Sequence, residues 1–121
     1  MFNHEILETW QAGIVLSGPE VKSVKAGQIS LKGSFINIDR NNELWLIGAH
    51  ISPYKPAKGQ QTGYLPEQKR KLLLNKREIE SILGKKSWKG LTIIPISVYT
   101  NKRLIKLEIG LARNKTQPDK R

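Results

Sequence analysis

The plainest pattern in the chain lies toward its C-terminal end. In RLIKLEIGLA, Ile105, Leu107, Ile109 and Leu111 fall on one side and Lys106 and Glu108 on the other, the period of two that marks a strand with one buried face. The preceding LTIIPISVYT reads as a second arm, making a hairpin through Asn101-Lys102, and Pro95 inside it predicts an edge strand or a bulge. SFINI, DRNN and ELWLIGAHI read as another hairpin, while ETWQAGIVL and KRKLLL supply two further strands. Helical signals occur twice. Ser17 and Glu20 have the S-x-x-E spacing of a capping box, with Pro19 in the first turn. Val21 and Val24 then share one face, Lys22 and Lys25 another, and Gly27 is the stop. Asn75 and Glu78 form a second box, and Leu74 and Ile79 have the spacing of a hydrophobic staple. Ile79, Ile82 and Leu83 make the buried stripe of this helix, which Gly84, Lys85 and Lys86 are expected to end.

Between these elements, SPYKPAKGQQTGYLPEQ (52–68) holds three prolines and two glycines, too long a stretch for a plain connector. It reads as a mobile or a partner-binding loop. Short strands, hairpins and few helices in 121 residues predict one domain, a small closed or nearly closed β-barrel. Trp10 and Trp45 lie in strand contexts and are expected in the core. Trp88 reads as a plug at the barrel end or as a stacking platform beside Lys85, Lys86 and Lys89; Tyr54 and Tyr64 stay open between core and surface.

Charge changes the picture more than composition does. The net charge is +11, and it is lopsided: residues 1–60 hold six basic and five acidic side chains, residues 61–121 fifteen and five. Such an excess points to a polyanion, nucleic acid before an anionic membrane. There is no cysteine, which excludes disulfide and thiolate chemistry, and no apolar run nears the ~20 residues that span a bilayer. A soluble, cytoplasmic protein with no membrane partner is expected. His4 and His50 each stand alone, no phosphate-binding loop occurs, and the carboxylates are too scattered for a hydrolytic metal site. No enzyme, metal or cofactor is expected. Binding chemistry is richer, because KRKLLLNKRE sets Lys69, Arg70, Lys71, Lys76 and Arg77 around an apolar strand-to-helix junction, a pattern suited to phosphate contacts.

Several of these stretches, taken in order, resemble one family. QAGIVL (11–16), GPEVKS (18–23), AGQIS (26–30), IGAHISPY (47–54), KRKLLLNKREI (69–79) and GLARNKTQPDKR (110–121) are similar to the small protein B (SmpB) family, the partners of transfer-messenger RNA. The resemblance runs from Asn3 to Arg121. It implies a mainly β, oligonucleotide-binding-like closed barrel of about six antiparallel strands with about three helices packed outside. It also implies binding to the transfer-RNA-like domain of transfer-messenger RNA and delivery to stalled ribosomes at the small-subunit decoding region, for trans-translation.

Family residues associated with RNA fall on Glu20, Leu73 and Asn75. With the basic side chains, the expected RNA-binding set is Glu20, Lys22, Lys25, Lys69, Arg70, Lys71, Leu73, Asn75, Lys76 and Arg77. Phe35, Arg113, Lys115, Lys120 and Arg121 are the expected ribosome contacts. The chain departs from the family at Phe35, where a tyrosine is common, at Arg113-Asn114-Lys115-Thr116 and at Pro118. The resemblance further implies a monomeric single domain over 1–121, lacking the family's basic leader and C-terminal tail, which would bind the RNA without supporting tagging. A general single-strand-binding or ribosomal protein of the same barrel is the alternative, with a basic nuclease a distant third. On this reading Glu20→Gln weakens RNA binding and leaves the fold nearly intact, because glutamine can still complete a capping box.

Overall fold

A computed structural model describes residues 4–54, 63–86, 88, 90–101 and 103–114. In chain order the elements are β1 (His4–Ile14), α1 (Gly18–Lys25), β2 (Ile29–Ser30), β3 (Phe35–Ile38), β4 (Leu44–Ile47), β5 (His50–Ile51), β6 (Arg70–Leu73), α2 (Lys76–Lys86), β7 (Leu91–Asn101) and β8 (Leu104–Asn114). Six strands form one antiparallel sheet in the order β3-β4-β6-β1-β8-β7, and β2 pairs with β5 in a small second sheet. Among the described residues, no helix is long and apolar enough to cross a membrane.

The mainly β class agrees with the sequence reading, but the closed barrel does not. The sheet is open: β3 and β7, its two edges, approach each other without a ladder between them. Pro95 lacks an N–H, and the β7–β8 register slips between Pro95 and Ser97, a bulge that twists the edge strand and interrupts its row of donors. Opposite it, β3 offers only four residues to pair. The helix count is also corrected, since the described residues contain two helices rather than about three.

Helix α1 forms as its signals predict. The Glu20 N–H donates to Ser17 Oγ (3.3 Å) and the Ser17 N–H donates to Glu20 Oε1 (3.0 Å), closing the box. At its C-terminal end, Gly27 takes φ +79° while the Gly27 and Gln28 N–H groups donate back to the Val24 and Ser23 carbonyls. That is a left-handed glycine stop. Helix α2 starts with the reciprocal Asn75–Glu78 bonds (2.8 and 3.0 Å) but runs through Gly84 to Lys86; the left-handed glycine lies further on, at Gly90. The β7–β8 ladder closes at Asn101–Leu104, so the turn lies one residue later than predicted.

The alternation in β8 holds, with Ile105, Leu107, Ile109 and Leu111 all buried. They pack with Trp10 and Ala12 of β1, Leu44 and Leu46 of β4, and Ile82 of α2. Trp45, expected in the core, is only half-buried. Its indole N–H donates to Asp39 Oδ2 (2.9 Å), in the β3–β4 turn that Asp39 also holds through the Asn41 and Glu43 N–H groups.

Candidate nucleic-acid interface

Glu20 does more than cap a helix. While Oε1 accepts from Ser17, Oε2 accepts from the Tyr64 hydroxyl (2.9 Å), Gln68 Nε2 (3.1 Å), and Arg70 Nε and Nη2 (3.1 and 2.7 Å). Arg70 also donates to the carbonyls of Ala49 and Pro66, both at 2.8 Å. Glu20 is 3% exposed and Arg70 2%. One ion pair thus ties together α1, the β4–β5 connection, the 63–69 segment and β6. Burial pushes the Glu20 carboxyl up, but the Ser17, Arg70, Tyr64 and Gln68 donors outweigh that and hold it below the usual glutamate range. The Tyr64 hydroxyl is pushed up to about 12, by burial first and then by the Glu20 carboxylate it faces.

The sequence reading treated Glu20 and Arg70 as surface contacts; the structure places both inside. The sequence does carry a signal for Arg70, since period two puts it on the same face of β6 as Leu72, which is 3% exposed. Tyr64 and Gln68 had no comparable signal, because their role appears only when the 63–69 segment folds back onto α1.

The remaining candidates face solvent. Lys22 and Lys25 are exposed on α1, Lys69 precedes β6, and Leu73, Asn75, Lys76 and Arg77 are exposed at the β6–α2 junction. Asn75 Oδ1 is taken by the Glu78 N–H. Ion pairing divides the cations. Lys71 is held by Glu43 (3.0 Å), Lys85 by Glu8, and Arg113 by Glu5 (3.6 Å). Among the described residues Lys22, Lys25, Lys76 and Arg77 have no ion-pair partner, although Lys22 lies 5.9 Å from the centre of the Tyr54 ring; Lys69 makes no close ion pair, but it sits 4.5 Å from the centre of the Trp45 ring and its charge acts on the Asp39 carboxylate. Arg103 and Lys106, which the sequence reading does not select, have no ion-pair partner among the described residues either.

Of the expected ribosome contacts, Phe35 is exposed at the start of β3, Arg113 is partly engaged by Glu5, and Lys115, Lys120 and Arg121 lie outside the described residues. Trp88 is 61% exposed and does not plug the sheet.

Comparison with known proteins agrees with this picture. The family profile described as "SmpB protein" matches residues 1–121. An SsrA-binding protein of Gloeothece citriformis is 49% identical over 120 residues, covering 99% of this chain and 76% of its own. One from Persephonella marina is 50% identical over 119 residues, covering 98% and 76%. A solved structure described as "tmRNA-SmpB: a journey to the center of the bacterial ribosome" has a chain 46% identical, with a TM-score of 0.74, covering 98% of this chain and 82% of that one.

Proposed function

This chain belongs to the SmpB protein family, and we propose that it binds the transfer-RNA-like domain of transfer-messenger RNA and brings that RNA to stalled ribosomes for trans-translation. It is an RNA-binding protein, not an enzyme. The observation that carries the reading is the sorting of charge around one buried ion pair. Glu20 and Arg70 act as positioning residues, because their polar atoms are spent on the frame that joins α1 to β6. Outside that frame, unpaired Lys22, Lys25, Lys76 and Arg77 are free to neutralise phosphates, joined by Lys69, whose charge also acts on Asp39 and the Trp45 ring. Leu73 and Asn75 lie between them, suited to sugar and base edges. Lys71, held by Glu43, serves the same surface more weakly. Phe35, Arg113, Lys115, Lys120 and Arg121 are assigned to the ribosome, which makes the protein cytoplasmic, and it acts as a monomer.

A general single-strand binder is disfavoured by the aromatic side chains. Such binding uses successive stacking platforms along a groove, whereas Trp10 is buried, Trp45 is half-buried under Lys69, and the exposed Phe35 and Trp88 belong to different elements, β3 and the stretch after α2. The test is competition between an elbowed, transfer-RNA-like RNA and an unstructured oligonucleotide across a salt series. The folded RNA should win by tenfold or more at every salt concentration; parity, or preference for the oligonucleotide, would overturn the reading.

A further inference from the structure

The end of β1 leaves a gap in the surface. Gly13 pairs with Leu73 of β6 on one side and Lys106 of β8 on the other, and has no side chain to fill the space between. A Cβ added there would meet Leu73 Cβ at 3.4 Å and Cδ1 at 3.8 Å, ordinary contact rather than collision. Leu16 and Val21 close the space from the α1 side, and Leu104 and Ile105 from the β7–β8 hairpin. The result is an open groove of about 310 Å³ with an apolar lining. Leu73 and Leu104 stand on its walls 53% and 59% exposed. Its only charged lining residues are Arg103 and Lys106, neither with an ion-pair partner among the described residues, and no acidic side chain reaches it. The elements around it also carry the unpaired Lys22 and Lys25 on α1 and Lys76 and Arg77 at the start of α2.

An apolar slot bordered only by cations fits a ligand with a flat apolar body and an anionic edge. We propose that this groove receives one unstacked nucleobase of the bound RNA, with the flanking phosphates on Arg103 and Lys106. The proposal rests on the RNA-binding reading above and extends the interface to the β7–β8 hairpin, through Gly13, Arg103, Leu104 and Lys106. Burying one apolar base face against these aliphatic side chains is worth roughly tenfold in affinity. Charge complementarity favours this occupant over an apolar peptide or a second copy of the chain, neither of which calls for a purely cationic rim.

The test plugs the groove without altering charge. Gly13→Val, β-branched at a strand position, should fold with an unchanged melting temperature and bind the transfer-RNA-like RNA about tenfold more weakly. Leu104→Ser, at an exposed wall, should weaken binding severalfold and serves as the second arm if Gly13→Val melts early. RNA carrying 4-thiouridine at its unpaired positions should crosslink to residues 103–106 in the parent and not in Gly13→Val. Folded variants that bind as tightly as the parent would overturn the groove while leaving the wider RNA reading intact, whereas a parent that does not bind the RNA would overturn that reading itself. A loss of self-association in Gly13→Val, measured by sedimentation with RNA affinity unchanged, would make the occupant a second copy and overturn the proposal.

Discussion

Replacing Glu20 by glutamine separates a buried frame from a surface contact. Glutamine can satisfy either half of the carboxylate's duties, not both. If its oxygen faces Tyr64, Gln68 and Arg70, its amide N–H₂ opposes the Ser17 N–H; if its oxygen takes the Ser17 bond, the N–H₂ opposes the guanidinium. In each case Arg70, 2% exposed, loses its counter-charge. Removing one partner of a buried ion pair costs about 3–5 kcal/mol, because the other charge stays desolvated. That is a large part of the roughly 5–15 kcal/mol that holds a domain together. At about 4 °C per kcal/mol for a domain of this size, Glu20→Gln should melt about 12–20 °C below the parent. Tyr64→Phe, which removes one donor of several and leaves the ion pair, should cost only about 1 kcal/mol. Thermal and urea unfolding followed by circular dichroism give both values. A Glu20→Gln protein within about 1 kcal/mol of the parent, yet impaired in RNA binding, would refute the argument and return Glu20 to the RNA surface that the sequence alone suggested.

Acid should expose the same pair. Because the Glu20 carboxyl is held below its ordinary 4.5, its contribution is complete above that value and is lost as pH falls from it through the lower folded value; the parent should lose stability there and Glu20→Gln should show a flatter profile, checked by urea midpoints from pH 6 down to 2. The unpaired cations should carry the salt dependence of RNA binding. Each of Lys22→Ala, Lys25→Ala, Lys76→Ala and Arg77→Ala that removes a phosphate contact should lower the slope of log affinity against log salt by about 0.7–0.9, while Lys71→Ala, whose ammonium is held by Glu43, should lower it less.

What was legible in the sequence was local, and what was missed was long-range. Both capping boxes, the stop at Gly27 and the alternation of β8 are settled within a few residues, where spacing alone determines which side chains meet. The partners of Glu20 lie 44 to 50 positions away along the chain, and no spacing rule links Ser17-Glu20 to Tyr64, Gln68 and Arg70. The capping box is legible locally, whereas the burial of its carboxylate is not. Gly84 shows the opposite case: a stop signal was present, but the turn that needed a left-handed residue came at Gly90, and α2 continued past it.

Two sequence signals conflict over whether the sheet closes. Pro95 predicts an edge or a bulge, which are features of a sheet that does not close there, while the short strands and hairpins, and the resemblance, predict a closed or nearly closed barrel. In the structure β7 is both an edge and bulged at Pro95–Ser97. The slipped register lies in the β7–β8 ladder, and the other side of β7 has no strand partner among the described residues. The same edge bears on function. An open seam between β3 and β7 leaves Phe35, at the start of β3 and 53% exposed, on a free strand edge rather than within a continuous wall. The surface proposed for the ribosome thus begins where the sheet does not close, whereas the proposed groove lies at the interior strands β6, β1 and β8, and the cations proposed for RNA stand on α1, before β6 and at the start of α2.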